Sequence, residues 1–286
     1  RLTEADFIAA LRALPLHPGA RGLYDDAAVI EIGGVTLVLT HDTMAQGTHF
    51  RADADPADVA WKLVASNLSD LAAKGAEPVG VLLSYALGAD DARFLEGLGE
   101  ALARFSVPLL GGDTVSAKGP RTLGITAIGK AAHTPVPARS GARIGDGIYV
   151  TGTLGRAMLG FEGVDAHLAA FNRPVPRLSE GMALASHVTA MMDVSDGLLL
   201  DAFRMAEASG VTVAIDSAAV PVADDARRLD AMRWGDDYEL LFTLPQGVTP
   251  PIEANRIGSV EPQGFAPLVL DGDPIVNCEG LGYQHS

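Results

Sequence analysis

The chain has 286 residues, with 36 acidic against 21 basic side chains and a formal net charge of −15, which argues against a general nucleic-acid binder because such proteins carry a basic excess to neutralise phosphates. Hydrophobic residues make up 48%, too many for a disordered chain, and the length accommodates two ordinary domains. The single cysteine, Cys278, excludes an intramolecular disulfide and a cysteine-built zinc site, and the chain has neither a run of membrane-spanning length nor a basic-then-apolar signal segment. A reducing, cytoplasmic setting is expected, and the absence of an initiator Met suggests a trimmed start.

In chain order, Val35–Thr40 is β-branched and apolar and predicts a buried strand. Asp55–Ala73 shows helical periodicity, with Pro56 near the first turn and Val64, Leu68 and Leu71 on one face. Asn67, Asp70 and Lys74 fall opposite that face, where the ordinary reading is a solvated polar surface. Val79–Leu87 predicts a strand, and Asp90–Phe105 a helix carrying Phe94, Leu95, Leu98, Leu102 and Phe105. Arg121–Gly129 is a further strand. His133–Ser140, with two prolines and no periodicity, reads as a domain boundary. Gly147–Val150 restarts the pattern as a strand, followed by a glycine-rich turn (Thr151–Gly155) into a helix. Leu198–Ala208 predicts a helix capped by Gly210, and Val211–Ile215 a strand. The alternation points to two α/β (α+β) domains, divided at 138/139.

Five acidic clusters sit among small residues at the ends of apolar segments: Asp25–Asp26, Asp42, Asp70, Asp113, and Asp193 with Asp196. Carboxylates at the rim of a sheet are placed where α/β folds bind ligands. Short acidic side chains converging from several loops suit Mg²⁺, a hard cation held by carboxylates, water and substrate phosphates. Each cluster also has an ordinary explanation: Asp25–Asp26 as a turn, Asp42 as a strand end, and Ser195 as a helix N-cap with Asp196 in the first turn. The two glycines before Asp113 allow backbone N–H groups to approach a phosphate.

Taken together and in order, DDAAV, LTHDTMAQGTHF, SNLSDLAAKGAEP, LGGDT, RSGARIGD, DVSDGL and GDDYELLF resemble thiamine-monophosphate kinases of the AIR-synthetase-like superfamily, from about Tyr24 to Tyr283. The resemblance implies a two-domain fold, in which residues 1–138 form an ATP- and Mg²⁺-binding domain that pairs its sheet in a homodimer. Residues 139–286 would form the C-terminal AIR-synthetase-like domain. It implies transfer of the γ-phosphoryl of ATP to thiamine monophosphate, with several Mg²⁺ ions. Asp26, Thr40, His41, Asp42, Asp70, Asp113, Asp193 and Asp196 match metal-binding positions, with Asp42, Asp70 and Asp196 at the reacting centre. Asp25 is a further carboxylate of the first motif. Gly112, Asp113, Arg139 and Ser195 match nucleotide contacts. His49, Asp236 and Tyr283 match substrate contacts. Four positions depart from the family pattern: Tyr24 for Gly, His41 for Thr, Lys74 for Met and Asp236 for Glu.

The chemistry is compatible with these residues. When donor and acceptor are both phosphates, the nucleophile is already anionic and no general base is needed. Positioning and charge neutralisation remain. No GxxxxGK[ST] sequence occurs and there are only four lysines (62, 74, 118 and 130), so metal ions take over what lysine does elsewhere. Without the seven aspartates of the five clusters, 29 acidic residues face 21 basic ones, so about half of the negative excess would be local to one site. Two other readings are open at this level: a different ATP-dependent synthetase of the superfamily, and a non-catalytic nucleotide-binding relative.

Overall fold

The computed structural model describes residues 4–284. After a first helix α1 (Glu4–Leu11), β1 (Ala28–Ile32) and β2 (Val35–Ala45) form a hairpin. Helix α2 (Pro56–Ala73), β3 (Ala76–Leu87), α3 (Asp91–Arg104), β4 (Leu109–Ser116) and β5 (Thr122–Ala131) follow. The five strands make one sheet in the order β1-β2-β5-β3-β4. Only β3 and β4 run parallel, joined by the α3 crossover.

The second half holds β6 (Gly147–Val150), α4 (Arg156–Phe161), α5 (Leu168–Asn172), α6 (Leu178–Leu184), β7 (Ala190–Val194) and α7 (Leu198–Ser209). It continues with β8 (Thr212–Ile215), α8 (Arg228–Trp234), β9 (Glu239–Leu244), β10 (Asn255–Glu261), β11 (Leu268–Leu270) and β12 (Asp273–Ile275). Its seven-stranded sheet has the order β12-β11-β8-β10-β6-β9-β7.

Helix α2 is the element on which both halves rest. Asp55 caps it, its carboxylate accepting from Ala57 N at 3.0 Å, and Pro56 occupies the first turn, where its missing N–H costs nothing. Val59, Leu63, Val64, Leu68 and Leu71 pack against the first sheet with Val38, Met44, Leu123 and Ile125. Each such side chain is worth roughly 1.5–3 kcal/mol of burial. The C-terminal end of the helix, Ala72 and Ala73, joins a separate cluster with Leu184, Met191, Leu240 and Phe242 of the second half. A helix buried on both sides has no solvated face. The stripe Asn67, Asp70 and Lys74 is therefore internal rather than the surface its periodicity suggested, and Asn67 and Lys74 are fully buried.

Several boundaries differ from the sequence expectation. Strand β2 continues through Ala45 because β5 pairs with it as far as Thr122, so Asp42 lies within the strand rather than after it. Asp113 and Asp193 are likewise inside β4 and β7. Leu95, at helical spacing with the core residues of α3, faces outward instead. Helix α7 starts at Leu198 after Gly197, so Ser195 is not its N-cap.

Helices α2 and α3 touch at Gly97, where an added Cβ would lie 2.2 Å from Ala57 O. Gly→Ala in an exposed helix stabilises by about 1 kcal/mol. Here the overlap is with backbone, which cannot rotate away, and overpacking costs about 1–3 kcal/mol. Gly97→Ala should therefore lower the thermal midpoint in calorimetry, and an unchanged or higher midpoint would contradict this packing.

Candidate active site

The site is built from α2 outward. Asn67 Oδ1 accepts from Asp42 N at 2.9 Å, fixing the register of β2 against the helix. Thr40 Oγ1 donates to Asp70. Ser69 Oγ donates to Asp193 Oδ2 at 2.6 Å, reaching into β7 of the second half. One helical stripe thus collects carboxylates from two sheets.

Among the described residues Asp42, Asp70 and Asp193 make no ion pair, and burial raises all three carboxyls. Burial pushes Asp42 up to about 6, with Asp196 and Asp26 adding to the shift against His41. Asp193 is pushed up to about 7 by burial and by Asp26. Asp70 lies well above the usual carboxylate range through burial and through Asp42, Asp193 and Asp26. Desolvation is the main physical cause, and repulsion from the neighbouring carboxylates adds to it.

Asp25 and Asp26 are treated differently. Asp25 accepts from Lys74 Nζ at 2.6 Å, from Arg139 N at 3.1 Å and from Asp26 N at 3.0 Å, and is paired with Arg21. Arg21 in turn donates to the carbonyls of Val136 and Pro137, both at 2.9 Å. Asp26 is paired with Arg139, and Lys74 Nζ lies 2.7 Å from its Oδ2 without hydrogen-bond alignment. Burial alone would raise the Asp26 carboxyl, but Arg139 and Lys74 outweigh it and hold it well below its usual range. Tyr24 faces outward, its ring stacked under Arg12 at 3.6 Å, and leaves the acidic turn intact.

Ser195 and Asp196 sit in the loop between β7 and α7. Their N–H groups donate to the buried Asp201 Oδ2 at 3.2 and 3.1 Å, and Arg204 pairs with Asp196. Gly197 has a φ of +111° and passes so close to Arg233 O (2.6 Å from an ideal Cβ) that no side chain fits. Asp236 N donates to Ser195 O at 2.8 Å, so the substrate-matching acid is tied to this loop. Asp236 also pairs with Lys62 Nζ at 2.7 Å and accepts from Tyr238 OH at 3.0 Å. Asp201 and Lys62 were not singled out from sequence. Their signal was a lone charge inside an apolar helical run, LLLDAF and VAWKLV.

Asp42, Ser195, Asp196 and Asp236 open on a cleft of about 910 Å³. Asp42, Ser66, Ser195 and Asp196 line its acidic end. Phe161, Phe171 and Trp234 form an aromatic wall, with ring centroids 5.1–5.3 Å apart for the two pairs that Phe161 makes. His49 and Tyr283 meet edge to face at 6.4 Å at the rim of the cleft. His49 is fixed by accepting from Ala45 N at 3.0 Å.

Two matched positions stand elsewhere. Side chains alternate along a strand, so Thr40 and Asp42 point toward α2 while His41 points to the opposite face of the sheet. There its ring bonds Thr126 Oγ1 at 2.8 Å. Register places Asp113 beside Ser84, on that same outer face. Gly112, in the row of Asp42 and Leu83, has no room for a side chain, since its Cβ would lie 1.9 Å from Leu83 O. Among the described residues no three acidic, His or Cys side chains form a ready-made metal cage. The donors present at the acidic end are all oxygen and their charge is unbalanced. That set fits a hard divalent cation whose coordination is completed by phosphates and water.

The chain matches the family model "AIR synthase related protein, N-terminal domain" over residues 24–131 and its C-terminal counterpart over residues 143–256. Its relatives are more particular. A thiamine-monophosphate kinase of Salmonella typhimurium is 39% identical, covering 92% of this chain and 86% of its own length. That of Caulobacter vibrioides is 40% identical, covering 85% and 77%. The structure of AaThiL complexed with AMPPCP and TMP superposes with a TM-score of 0.85 at 28% identity, covering 100% of this chain and 99% of that one. The chain belongs to the thiamine-monophosphate kinase family of AIR synthase related proteins.

The raised carboxyls have a measurable consequence. Without divalent cations the folded chain keeps protons on Asp42 and Asp193 that the unfolded chain releases near the ordinary carboxylate value of 3.8. That contribution to stability is fully present below the unfolded value and is lost as pH rises through about 6 and 7. In EDTA the thermal midpoint should fall across this window, and Asp193→Asn, which cannot ionise, should make the fall shallower. A slope unaffected by Asp193→Asn would contradict the buried-acid picture.

Proposed function

We propose that this chain transfers the γ-phosphoryl group of ATP to the phosphate of thiamine monophosphate, giving ADP and thiamine diphosphate. The observation that carries the reading is the two-ended cleft: Asp42, a buried carboxylate with Asp70 and Asp196 beside it, at one end, and aromatic rings with His49 at the other. Polyphosphates need cations to approach the acidic end, and a flat, positively charged heteroaromatic suits aromatic faces beside Asp236. AaThiL, the structural relative with TM-score 0.85, was seen with AMPPCP and TMP.

Asp42, Asp70, Asp193 and Asp196, with Thr40 and Ser195, would hold Mg²⁺. Bound there, Mg²⁺ neutralises the phosphates and aligns them for in-line displacement. The protein's own part is positioning. The stripe on α2 fixes the carboxylates, and Asp201 fixes the Ser195–Asp196 loop. Arg139, which matches a nucleotide contact, is paired with Asp26 and steadies the acidic turn. The aromatic wall excludes water, which would otherwise compete as acceptor. His49, Asp236 and Tyr283 would contact the thiamine monophosphate. The division at 138/139 separates the half that carries Asp26, Asp42 and Asp70 from the half that carries Ser195 and Asp236. No helix among the described residues is long and apolar enough to cross a membrane, and a cytoplasmic working place agrees with the single cysteine.

A homodimer belongs to this reading. The face of the first sheet turned away from α2 exposes Leu82 and Leu110 at 37% and 50%, and apolar sheet faces of this kind mark association surfaces. A second copy packed there would lie directly against His41 and Asp113, the two matched positions that stand apart from the acidic end. Gly112 and Asp113 are the nucleotide contacts placed nearest such an interface.

Three measurements check the proposal. ADP should form only when ATP, Mg²⁺ and thiamine monophosphate are all present. Asp70→Asn should lower kcat by about a hundredfold or more while keeping its Thr40 hydrogen bond and its fold; normal turnover by this variant would sink the reading. Leu110→Asp should convert dimer to monomer in light scattering, and a dimer that persists would place the interface elsewhere.

A further inference from the structure

Among the described residues, Lys74 is the lysine that pairs with the Asp25–Asp26 turn of the acidic site. Its side chain is fully buried, at the C-terminal cap of α2. Nζ touches three oxygens at once: Asp25 Oδ1 at 2.6 Å, Asp26 Oδ2 at 2.7 Å, and Met191 O of β7 at 3.2 Å. A lysine so completely desolvated is costly unless its charge is matched. Here Arg21 and Arg139 pair with the same two carboxylates. Three cations therefore surround Asp25 and Asp26. Asp42, Asp70 and Asp193, the next carboxylates inward, have no ion-pair partner among the described residues. The acidic site is divided into a neutralised layer and an unneutralised one.

We propose that Lys74 is a built-in counter-cation that takes the place of a divalent metal ion beside Asp26. The Asp25–Asp26 layer is closed by lysine and arginine, and metal ions are drawn to Asp42, Asp70, Asp193 and Asp196 instead. Asp26 then acts as a positioning residue, whose negative charge and ion pairs hold the turn, α2 and β7 together before any metal binds. Lysine serves this purpose where arginine would not, since a compact ammonium on an unbranched stem reaches between two carboxylates from a helix end. The inference rests on the reading of the site as magnesium-binding, and it goes further by assigning one cation's place to a side chain.

Lys74→Met removes the charge and keeps an unbranched apolar stem of comparable reach. Two measurements independent of turnover read the effect: thermal midpoints in EDTA and in Mg²⁺, and the number of Mg²⁺ ions bound by calorimetry with AMPPCP present. The variant should melt lower than the parent in EDTA, gain more from Mg²⁺ than the parent does, and bind one ion more. Equal ion numbers and equal Mg²⁺-dependent gains in both proteins would overturn the proposal. Failure of the parent to bind Mg²⁺ at all would instead overturn the functional reading beneath it. If Lys74→Met alone is too unstable to purify, Asp25→Asn/Lys74→Met removes one charge of each sign. Recovery of the fold supports charge balancing, and a double variant as unstable as the single contradicts it.

Discussion

The constraint on which this structure turns is the repulsion among carboxylates gathered around one buried helix. Burial removes the water that would screen them, and the carboxyls of Asp42, Asp70 and Asp193 rise accordingly. A protein ordinarily avoids such an arrangement, because an uncompensated buried charge costs several kcal/mol (about 3–5 when a partner is removed). Its presence here, with hydrogen bonds from Thr40 and Ser69 holding the groups in place, is a stored demand for cations. The net charge of −15 is the outward sign of that demand. What first looked like a reason for phosphates to stay away becomes the means of drawing metal-bound phosphates in.

The same helix makes the architecture and the chemistry inseparable. One face of α2 packs on the first sheet through Leu63, Val64, Leu68 and Leu71, and its end packs on the second half through Ala72 and Ala73. Its polar stripe, pressed between them, is where the two sheets meet. The loop carrying Ser195 and Asp196 is held in turn by Asp201 beneath it and by Asp236 behind it. A displacement of α2 would therefore disturb every acidic group together, which is why rigid packing at Gly97 and polar positioning at Asn67 belong to one mechanism.

Much of this was legible in the sequence. The ends of α2 were announced by Asp55, Pro56 and the change after Ala73, and the ordered acidic motifs pointed to the family that the relatives then showed. Three features were not. Periodicity placed Asn67, Asp70 and Lys74 on one face but could not tell a solvated face from one sealed by a second sheet, because that depends on residues more than a hundred positions away. Alternation in β2 sends His41 to the face opposite Asp42, yet a motif read as a string treats neighbours as companions. The ordinary reading of Ser195 as a helix N-cap fails because Gly197 and the buried Asp201 stop the helix short of it. Local rules for caps cannot anticipate a side chain that captures the same N–H groups from within the helix.

The most direct test of the central claim is calorimetric binding of AMPPCP to the parent protein, with Mg²⁺ and again in EDTA. If buried carboxylates recruit polyphosphate only through cations, the nucleotide should bind with Mg²⁺ and show no measurable heat in EDTA. Comparable affinity under both conditions would mean that side chains alone hold the phosphates, and would contradict the claim.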